Sequence, residues 1–439
     1  MKIKYDKVKD NPNAKQKRVI IYDASGNARS TFLAMDIKEE RIFNLSPMNR
    51  YCYEVLLSSI LTDPAISREF YMRLAMKGNS KPDCTAEFFI KKSAKIFTDL
   101  ITTLILVAEE RGEKPFFGLW EVINICLDPE TLAKVLNTYP HIGKEHKHLL
   151  SDSGQSQGIL GTLSEVLDPL SPLANAYKQS RDEGRIYDLN DFLNSNHILI
   201  LTRDDERGGN ALNTMYGLII NTVITKIIGQ NAVDGRTKPA STFIIADEFQ
   251  NLGFLEALLI VAQEGGRYGV CLMLATQSYG RVEDIWGKNK AQALIGNITH
   301  LISLKVADSG TAEFMSKLFG DTTVERITPV DGHDGTTFSQ QLVNKPLFSS
   351  GEFLNLSKLS KVAKTPLEAI AKCDGKLFKV AFPWKDLHTM LPPEASNALK
   401  AQDTAPQDRA IFFPNPLEDD DFVRLGLGHL VELVDDEEE

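Results

Sequence analysis

The sequence predicts an α/β protein with a doubly wound, mostly parallel sheet and an all-helical insertion. Three observations carry this. Short apolar runs without alternation recur at 18–23, 197–202, 243–248 and 270–278, as expected of strands covered on both faces. Helical patterns alternate with the later runs. Between 63 and 180 there is no convincing strand.

The elements follow in chain order. Met1 to Lys17 is polar and shows no helical stripe. Arg18–Asp23 is the first buried strand, and Ala24–Asn27 is turn chemistry. Glu40–Pro47 is a second short strand with a proline stop. In Cys84–Glu110, Phe89, Ala94, Ile96, Phe97, Leu100, Ile101, Leu104 and Ile105 recur at helical spacing. Leu119–Cys126, Pro129–Asn137 and Ile159–Ala176 are further helices, with Asp128-Pro129 and Ser171-Pro172 at helix edges.

The α/β rhythm then resumes. A strand at His197–Thr202 precedes a helix at Ala211–Ile228. The strand Phe243–Glu248 precedes a helix at Leu255–Glu264 that ends at Gly265-Gly266. A strand Val270–Ser278, helical residues Ala291–Ile298, a strand Leu301–Val306 and a helix Thr311–Phe319 follow. Asp331–Ser350 is Gly- and Thr-rich, an exposed loop or hairpin, and Lys376–Phe382 is a late strand. From Pro392 the chain is rich in Pro, Ala and acids, as in a mobile tail. Within it Phe422–Val434 is apolar at intervals, like a short amphipathic element that folds on a partner.

Composition excludes several classes. No apolar run approaches the roughly 18–20 residues of a bilayer span, and no signal peptide is visible. The five cysteines, Cys52, Cys84, Cys126, Cys271 and Cys373, are scattered without CxxC spacing. That points to a reducing compartment and no structural zinc. The net charge of −10 is unevenly spread: Glu418–Glu439 holds ten acids and one Arg, −9 in all, which leaves the other residues near −1. Met1–Arg18 is basic, with seven Lys/Arg against two Asp.

The candidate chemistry lies where Phe243–Ala246 leaves the core. Asp247 and Glu248 follow at the carboxyl edge of the sheet, where open α/β folds bind ligands. A nucleotide-hydrolysing site needs this arrangement: the first carboxylate helps hold Mg²⁺, directly or through water, and the second polarises a water. The alternative is a strand that ends in solvated acids. Gln277 ends the next strand, either as a neutral γ-phosphate sensor or as a polar strand cap. Arg267 is either an arginine finger for a neighbouring subunit's nucleotide or a C-terminal helix Arg answering the macrodipole. Asp23 and Gly26 follow the first strand on the same edge.

Several ordered stretches carry a family resemblance. They are Arg18-Val-Ile-Ile-Tyr-Asp-Ala-Ser-Gly26, Ile42–Pro47, Ala86-Glu-Phe-Phe with Ala94–Phe97, Ala246-Asp-Glu-Phe with Leu252, Gly266–Gly269, Ala275–Tyr279 and Val282–Gly287. In this order, with a helical insertion after the second, the series resembles the TraD/TraG/VirD4 type IV coupling proteins, the TraD branch above all. These are RecA-like hexameric ATPases of conjugation and type IV secretion. The resemblance implies a RecA-like nucleotide-binding domain in two parts, 1–62 and 181–391. It implies an all-alpha domain at 63–180 that meets DNA and relaxosome proteins, and a flexible acidic tail at 392–439 that recruits a relaxosome partner. It assigns Asp247 and Glu248 as the Walker B pair, Gln277 as the sensor and Arg267 as the trans-acting finger. It implies ATP and Mg²⁺ as cofactors, with Asp247, Asp23 and Gly26 on the nucleotide side. The implied partners are relaxase, single-stranded DNA, the secretion channel and further copies in a hexamer. The expected location is the cytoplasmic side of the inner membrane, through partners.

The sequence departs from the family pattern at one decisive point. No G-x-x-x-x-G-K-[ST] occurs: Gly143-Lys144 leads to Glu145, Gly287-Lys288 to Asn289 and Gly375-Lys376 to Leu377. In the family that P-loop and the membrane anchor precede the strand that here begins at Arg18. Milder departures are Lys95 where Arg is more frequent and Asn27 where an acid is. Two functions therefore stand side by side: a DNA-translocating motor body that takes its P-loop from elsewhere, and a non-hydrolysing docking protein for relaxosome or effector proteins.

Overall fold

The computed structural model describes residues 17–386, apart from 48, 77–83, 148, 150, 152, 205–208, 232–240, 333–334, 361 and 384, together with 416–431. They fall into two compact units, Met1–Leu274 with Ala395–Glu439, and Ala275–Glu394.

The first unit is built on a five-stranded parallel sheet of β1 (Arg18–Asp23), β2 (Ile42–Asn44), β5 (Ile198–Thr202), β6 (Thr242–Ala246) and β7 (Val270–Leu274). Its order is β2-β5-β1-β6-β7. Register is continuous across the centre, with Tyr22 opposite both Leu201 and Ala246, and Ala246 opposite Leu274. Every carboxyl end therefore lies on one edge. Ile20, Tyr22, Leu199, Leu201 and Ile244 share one fully buried face. On the other, Ile198 and Ile200 are buried, Val19, Ile21, Phe243 and Ile245 are half-buried, and Cys271 and Met273 of β7 are exposed, so only the centre of the sheet matches the expectation of strands covered on both faces.

The long helix α10 (Gly209–Asn231) covers this sheet. Residues 209–230 are long and apolar enough to cross a membrane, with mean hydropathy 1.3, yet 67% of the relevant window is buried in the fold. Asn213 in the first turns accepts from the Tyr22 hydroxyl at 2.8 Å.

The expected helical insertion is present as α2 (Pro64–Ala75), α3 (Cys84–Glu110), α4 (Leu119–Leu127), α5 (Pro129–Asn137), α6 (Pro140–Gly143), α7 (Gly154–Leu167) and α8 (Ser171–Asp182). Its starts are written in the sequence. Asp63 caps α2 by accepting from Ala65 N at 2.8 Å and Ile66 N at 3.0 Å, with Pro64 in the first turn. Asp128 caps α5 by accepting from Glu130 N at 3.2 Å, with Pro129 in the first turn. The chain leaves and re-enters the sheet side by side: β3 (Glu54–Val55) pairs in parallel with β4 (Ile186–Tyr187).

Below that junction lies a buried ion cluster. Arg181 of α8 bonds both Glu54 of β3 and Glu121 of α4, whose side chains are 0% exposed. Burial pushes the Glu54 carboxyl up to about 7, against the pull of Arg181. Burial also works against Glu121, but Arg181, then Arg424 and the Gly118 N–H, hold its carboxyl below the usual range. The raised Glu54 value fixes a sign. The folded form keeps this proton between about 4.5 and about 7, where the unfolded form has lost it. The Glu54 contribution to stability therefore falls as pH rises through that window. Denaturant unfolding followed by the buried Trp120 should show this slope, and Glu54→Gln should flatten it.

The second unit contains α12 (Tyr279–Trp286), α13 (Lys288–Gly296), β8 (Leu301–Ser303), α14 (Ser309–Phe319), β9 (Asp321–Gly332), β10 (Gly335–Pro346), α15 (Ser350–Asn355), β11 (Leu367–Cys373) and β12 (Lys376–Phe382). Its sheet is β12-β11-β8 around a small core of Ala312, Phe319, Phe353, Leu356 and Ile370. The Gly/Thr-rich stretch expected as a loop or hairpin is the second arm of a hairpin with 12 residues on each strand.

Three boundaries differ from expectation. Helix α11 (Glu256–Tyr268) runs through Gly265-Gly266 and stops at Gly269, where φ is +70°. Gly265 serves close packing instead: a Cβ there would stand 2.8 Å from the Val270 carbonyl oxygen. Strand β7 ends at Leu274, not Ser278. Part of the expected mobile tail, 416–431, is packed on the helical segment, with Leu427 fully buried; residues 392–415 and 432–439 of that expectation lie outside the described residues.

Candidate functional site

Strand β6 ends at Ala246, and the Asp247 N–H still donates to the Tyr22 carbonyl at 3.0 Å. Asp247 therefore leaves the sheet directly beside the end of β1. It is exposed, yet its carboxyl is held above the usual range by partial desolvation first, then by the negative charges of Glu248 and Asp23. A carboxylate made uncomfortable by its neighbours is a place for a cation. Among the described residues no group of three or more His, Cys, Asp or Glu could hold a metal by itself. A magnesium ion at Asp247 would take its other ligands from water and phosphate oxygens, the usual way this ion is bound.

Glu248 follows in the left-handed region, φ +50° and ψ +48°, which is costly for a residue with a Cβ. The turn aims its carboxylate sideways along the edge. There Oε2 accepts from Arg203 Nη1 at 2.6 Å and from Asn251 Nδ2 at 3.0 Å. Arg203 is the first residue beyond β5, and its own N–H donates to the Asp23 carbonyl at 3.1 Å. Sequence reasoning missed Arg203. The available signal was its place just beyond His197–Thr202, the position Asp247 holds relative to β6. Arg203→Ala should leave Glu248 partly buried without its cation and cost about 1–2 kcal/mol; a thermal melt checks this, and a double-mutant cycle with Glu248→Ala should recover the coupling.

The loop after Glu248 is also tied to the helical insertion. Arg73 of α2 donates to the Phe254 carbonyl at 2.8 Å. One short segment, 247–254, thus carries the acidic pair, meets the sheet edge and meets the insertion.

The other expected residues are placed differently. Asp23 is buried, and both its oxygens serve its own loop: Oδ1 accepts from Ser25 N at 3.0 Å and Ser25 Oγ at 2.8 Å, and Oδ2 from Ala28 N at 2.7 Å. It acts on the site as a fixed negative charge and as the clasp of the 24–27 turn, which contains Gly26. Arg267 lies at the opposite edge of the sheet. Two residues later, the Gly269 carbonyl accepts from Ser241 and Thr242 at the start of β6, a strand length of roughly 15 Å from Asp247. Arg267 is exposed beside Glu264 at 3.6 Å, so it does not join its own subunit's acidic pair. Gln277 belongs to the second unit and lies in the loop three residues after Leu274, exposed.

Strand β7 matters for what it leaves open. Among the described residues its only strand partner is β6. Cys271 is exposed, and Met273 is 64% exposed. An apolar edge strand of this kind is a template for pairing.

Known proteins resemble this chain in sequence and in fold. The family model described as type IV secretion-system coupling protein DNA-binding domain matches residues 7–372. VirD4 of Agrobacterium fabrum is 23% identical over 325 residues, 70% of this chain and 46% of that protein. The conjugal transfer protein TraG of the same organism is 28% identical over 162 residues, 36% of this chain and 24% of that protein. The chain thus spans less than half the length of these curated relatives. Among solved structures, the unbound conjugative coupling protein TrwBdeltaN70 superposes with TM-score 0.58 at 18% identity, covering 84% of this chain and 78% of that one. TrwB in complex with ADP and Mg²⁺ superposes at 0.57, again at 18% identity. These structures share the fold, a mostly parallel α/β sheet with a helical domain, and the family match over 7–372 identifies the chain as a member of the type IV secretion-system coupling protein family.

Proposed function

We propose that this chain is the motor body of a conjugation or secretion coupling protein, one that moves single-stranded DNA and its attached relaxase toward the secretion channel. The observation that carries this reading is the Asp247–Glu248 pair at the carboxyl edge of β6, beside Asp23 and Arg203. In this reading Asp247 takes the magnesium side of a bound nucleotide. Glu248 is the group that orients water, and the Arg203 contact holds it until it is needed. Bound ATP would supply the phosphoanhydride whose hydrolysis drives movement. Gln277 as sensor and Arg267 as a finger toward a neighbouring copy complete the proposed assignments. The placement of Arg267 away from its own acidic pair supports a role in trans.

The residues present fit the cation side of such a site and not the phosphate side, since 1–439 contain no G-x-x-x-x-G-K-[ST]. We assign the phosphate grip to residues outside these 439, entering as a strand on the free edge of β7. All pairs of this sheet are parallel. A parallel strand added there would deliver its C-terminal turn, and the backbone amides of a Gly-rich loop, to the edge that carries Asp247.

The second reading, a non-hydrolysing docking protein, is favoured by the Arg203–Glu248 pair, which leaves the carboxylate engaged. In both readings the helical insertion and the acidic C-terminal region meet relaxosome proteins. A fluorescent nucleotide titration separates the two. Binding that appears when a polypeptide carrying strand, P-loop and helix is added supports the motor. No binding with or without it leaves the docking protein.

A further inference from the structure

The C-terminal segment is held on the helical insertion by a set of contacts that together define a peptide site. Glu418 begins a short helix, Asp419–Arg424, whose first turn carries Asp419, Asp420 and Asp421, a favourable placement of charge at a helix N-terminus. At its end Arg424 Nη2 bonds Glu121 Oε1 at 2.5 Å and Asp421 Oδ1 at 3.0 Å. Leu425, Leu427 and Leu430 are 7%, 0% and 8% exposed. Gly426 has φ +81°, and a Cβ there would stand 2.6 Å from Val107 Cγ1 and 2.7 Å from Arg111 Nη1. Arg111 Nη1 in turn donates to the Val423 carbonyl at 3.4 Å. Beside Arg424 and Leu425 a cleft remains, lined by Leu104, Ala108, Phe116 and Phe117.

Charge counting shows what the site requires. Glu54 and Glu121 are both fully buried, and Glu121, held below the usual carboxylate range, is the firmly ionised member of the pair. Arg424 brings the second positive charge. With the segment away, the buried Glu121 carboxylate loses one of the two guanidinium groups bonded to it, which is disfavoured. The site thus favours an occupant with a guanidinium flanked by apolar side chains that approaches α3 closely enough to need a glycine at the 426 position.

A second copy of this chain carries such a segment by construction. Residues 387–415 connect it to the rest of the sequence, and 29 residues can reach at most about 100 Å. We propose that this face of the helical insertion is a peptide-docking site and that its exchange partner is the 418–431 segment of a second copy of this chain. Tail exchange would link neighbouring copies through contacts already built into one chain. The proposal is independent of the nucleotide reading.

The test mixes two full-length chains with different tags, each disabled in one half of the contact. Ala108→Trp fills the cleft and releases a competent tail. Gly426→Val disables the tail and leaves a competent groove. The expected result is co-purification of the two tags roughly tenfold above that of either variant mixed with itself. Excess synthetic peptide of residues 416–431 should abolish it, and the same peptide carrying Arg424→Ala should not. Labelled peptide should also bind the Gly426→Val chain roughly tenfold more tightly than wild type, whose groove is filled. Leu427→Asp repeats both arms if Gly426→Val loses the wild-type melting transition. Co-purification at background level, with peptide still binding, would mean that the tail acts only on its own chain and overturns the exchange. Peptide that binds neither tail variant overturns the docking site itself.

Discussion

Arg181→Ala should lower the stability of the first unit by about 3–5 kcal/mol. The side chain is 9% exposed and stands between two carboxylates with no exposure at all. Removing it leaves Glu54 and Glu121 buried together, with Arg424 of the C-terminal segment as the remaining cation of the cluster. A loss of that size is a large part of the roughly 5–15 kcal/mol that holds most domains folded. It should be seen as a shift of the denaturant midpoint in the fluorescence of Trp120. The effect comes from stranded charge, not from lost packing, so Arg181→Met combined with Glu54→Gln and Glu121→Gln should recover most of it. A single Arg181→Ala within about 1 kcal/mol of wild type would show that the cluster does not hold β3, α4 and α8 together.

The second large effect lies at the acidic edge and has opposite signs for stability and function. Asp247→Asn should stabilise the fold slightly at neutral pH. The folded-state value of Asp247 is raised, so the charged group disfavours folding at pH values above it. Its contribution is favourable only in acid and is lost as pH rises from the unfolded value through the raised one. Screening by solvent at this exposed position limits the gain to a few tenths of a kcal/mol. The same substitution should reduce Mg²⁺-dependent nucleotide hydrolysis at least about 100-fold in the assembly that carries a P-loop. If Glu248 orients water as proposed, Glu248→Gln should do the same while leaving nucleotide binding intact. A functional group that strains its own fold is what a working site leaves behind; equal melting temperatures with unchanged hydrolysis would remove both residues from the chemistry.

Much of this was legible in the residues. The strands at Arg18–Asp23, Ile198–Thr202 and Phe243–Ala246 announced themselves as apolar runs because one face is buried throughout and the other is buried at Ile198 and Ile200 and half-buried on the neighbouring strands. Asp63-Pro64 and Asp128-Pro129 marked helix starts through capping chemistry local to the chain. What was hidden depends on contacts between distant residues. Arg203 and Glu248 are 45 positions apart, and only the register of β5, β1 and β6 brings them together. Gly265-Gly266 reads as a helix stop by propensity, but packing on Val270 decides that position. The C-terminal segment reads as a mobile acidic tail with an amphipathic element at Phe422–Val434 that would fold on a partner; residues 416–431 are packed on this chain's own helical segment. Arg424 is held by Glu121, some 300 residues earlier, and its neighbours Leu425, Leu427 and Leu430 are buried. Asp23 was read as part of the nucleotide side, and its hydrogen bonds show that local loop closure already engages both oxygens.

The most direct test of the central claim is a titration of fluorescent ATP in Mg²⁺ against this chain, alone and with a polypeptide carrying strand, G-x-x-x-x-G-K-[ST] and helix. The account predicts no binding to the chain alone, binding to the mixture, and loss of hydrolysis by the mixture on Asp247→Asn. Tight binding by the chain alone, or a mixture that fails to bind, would contradict it.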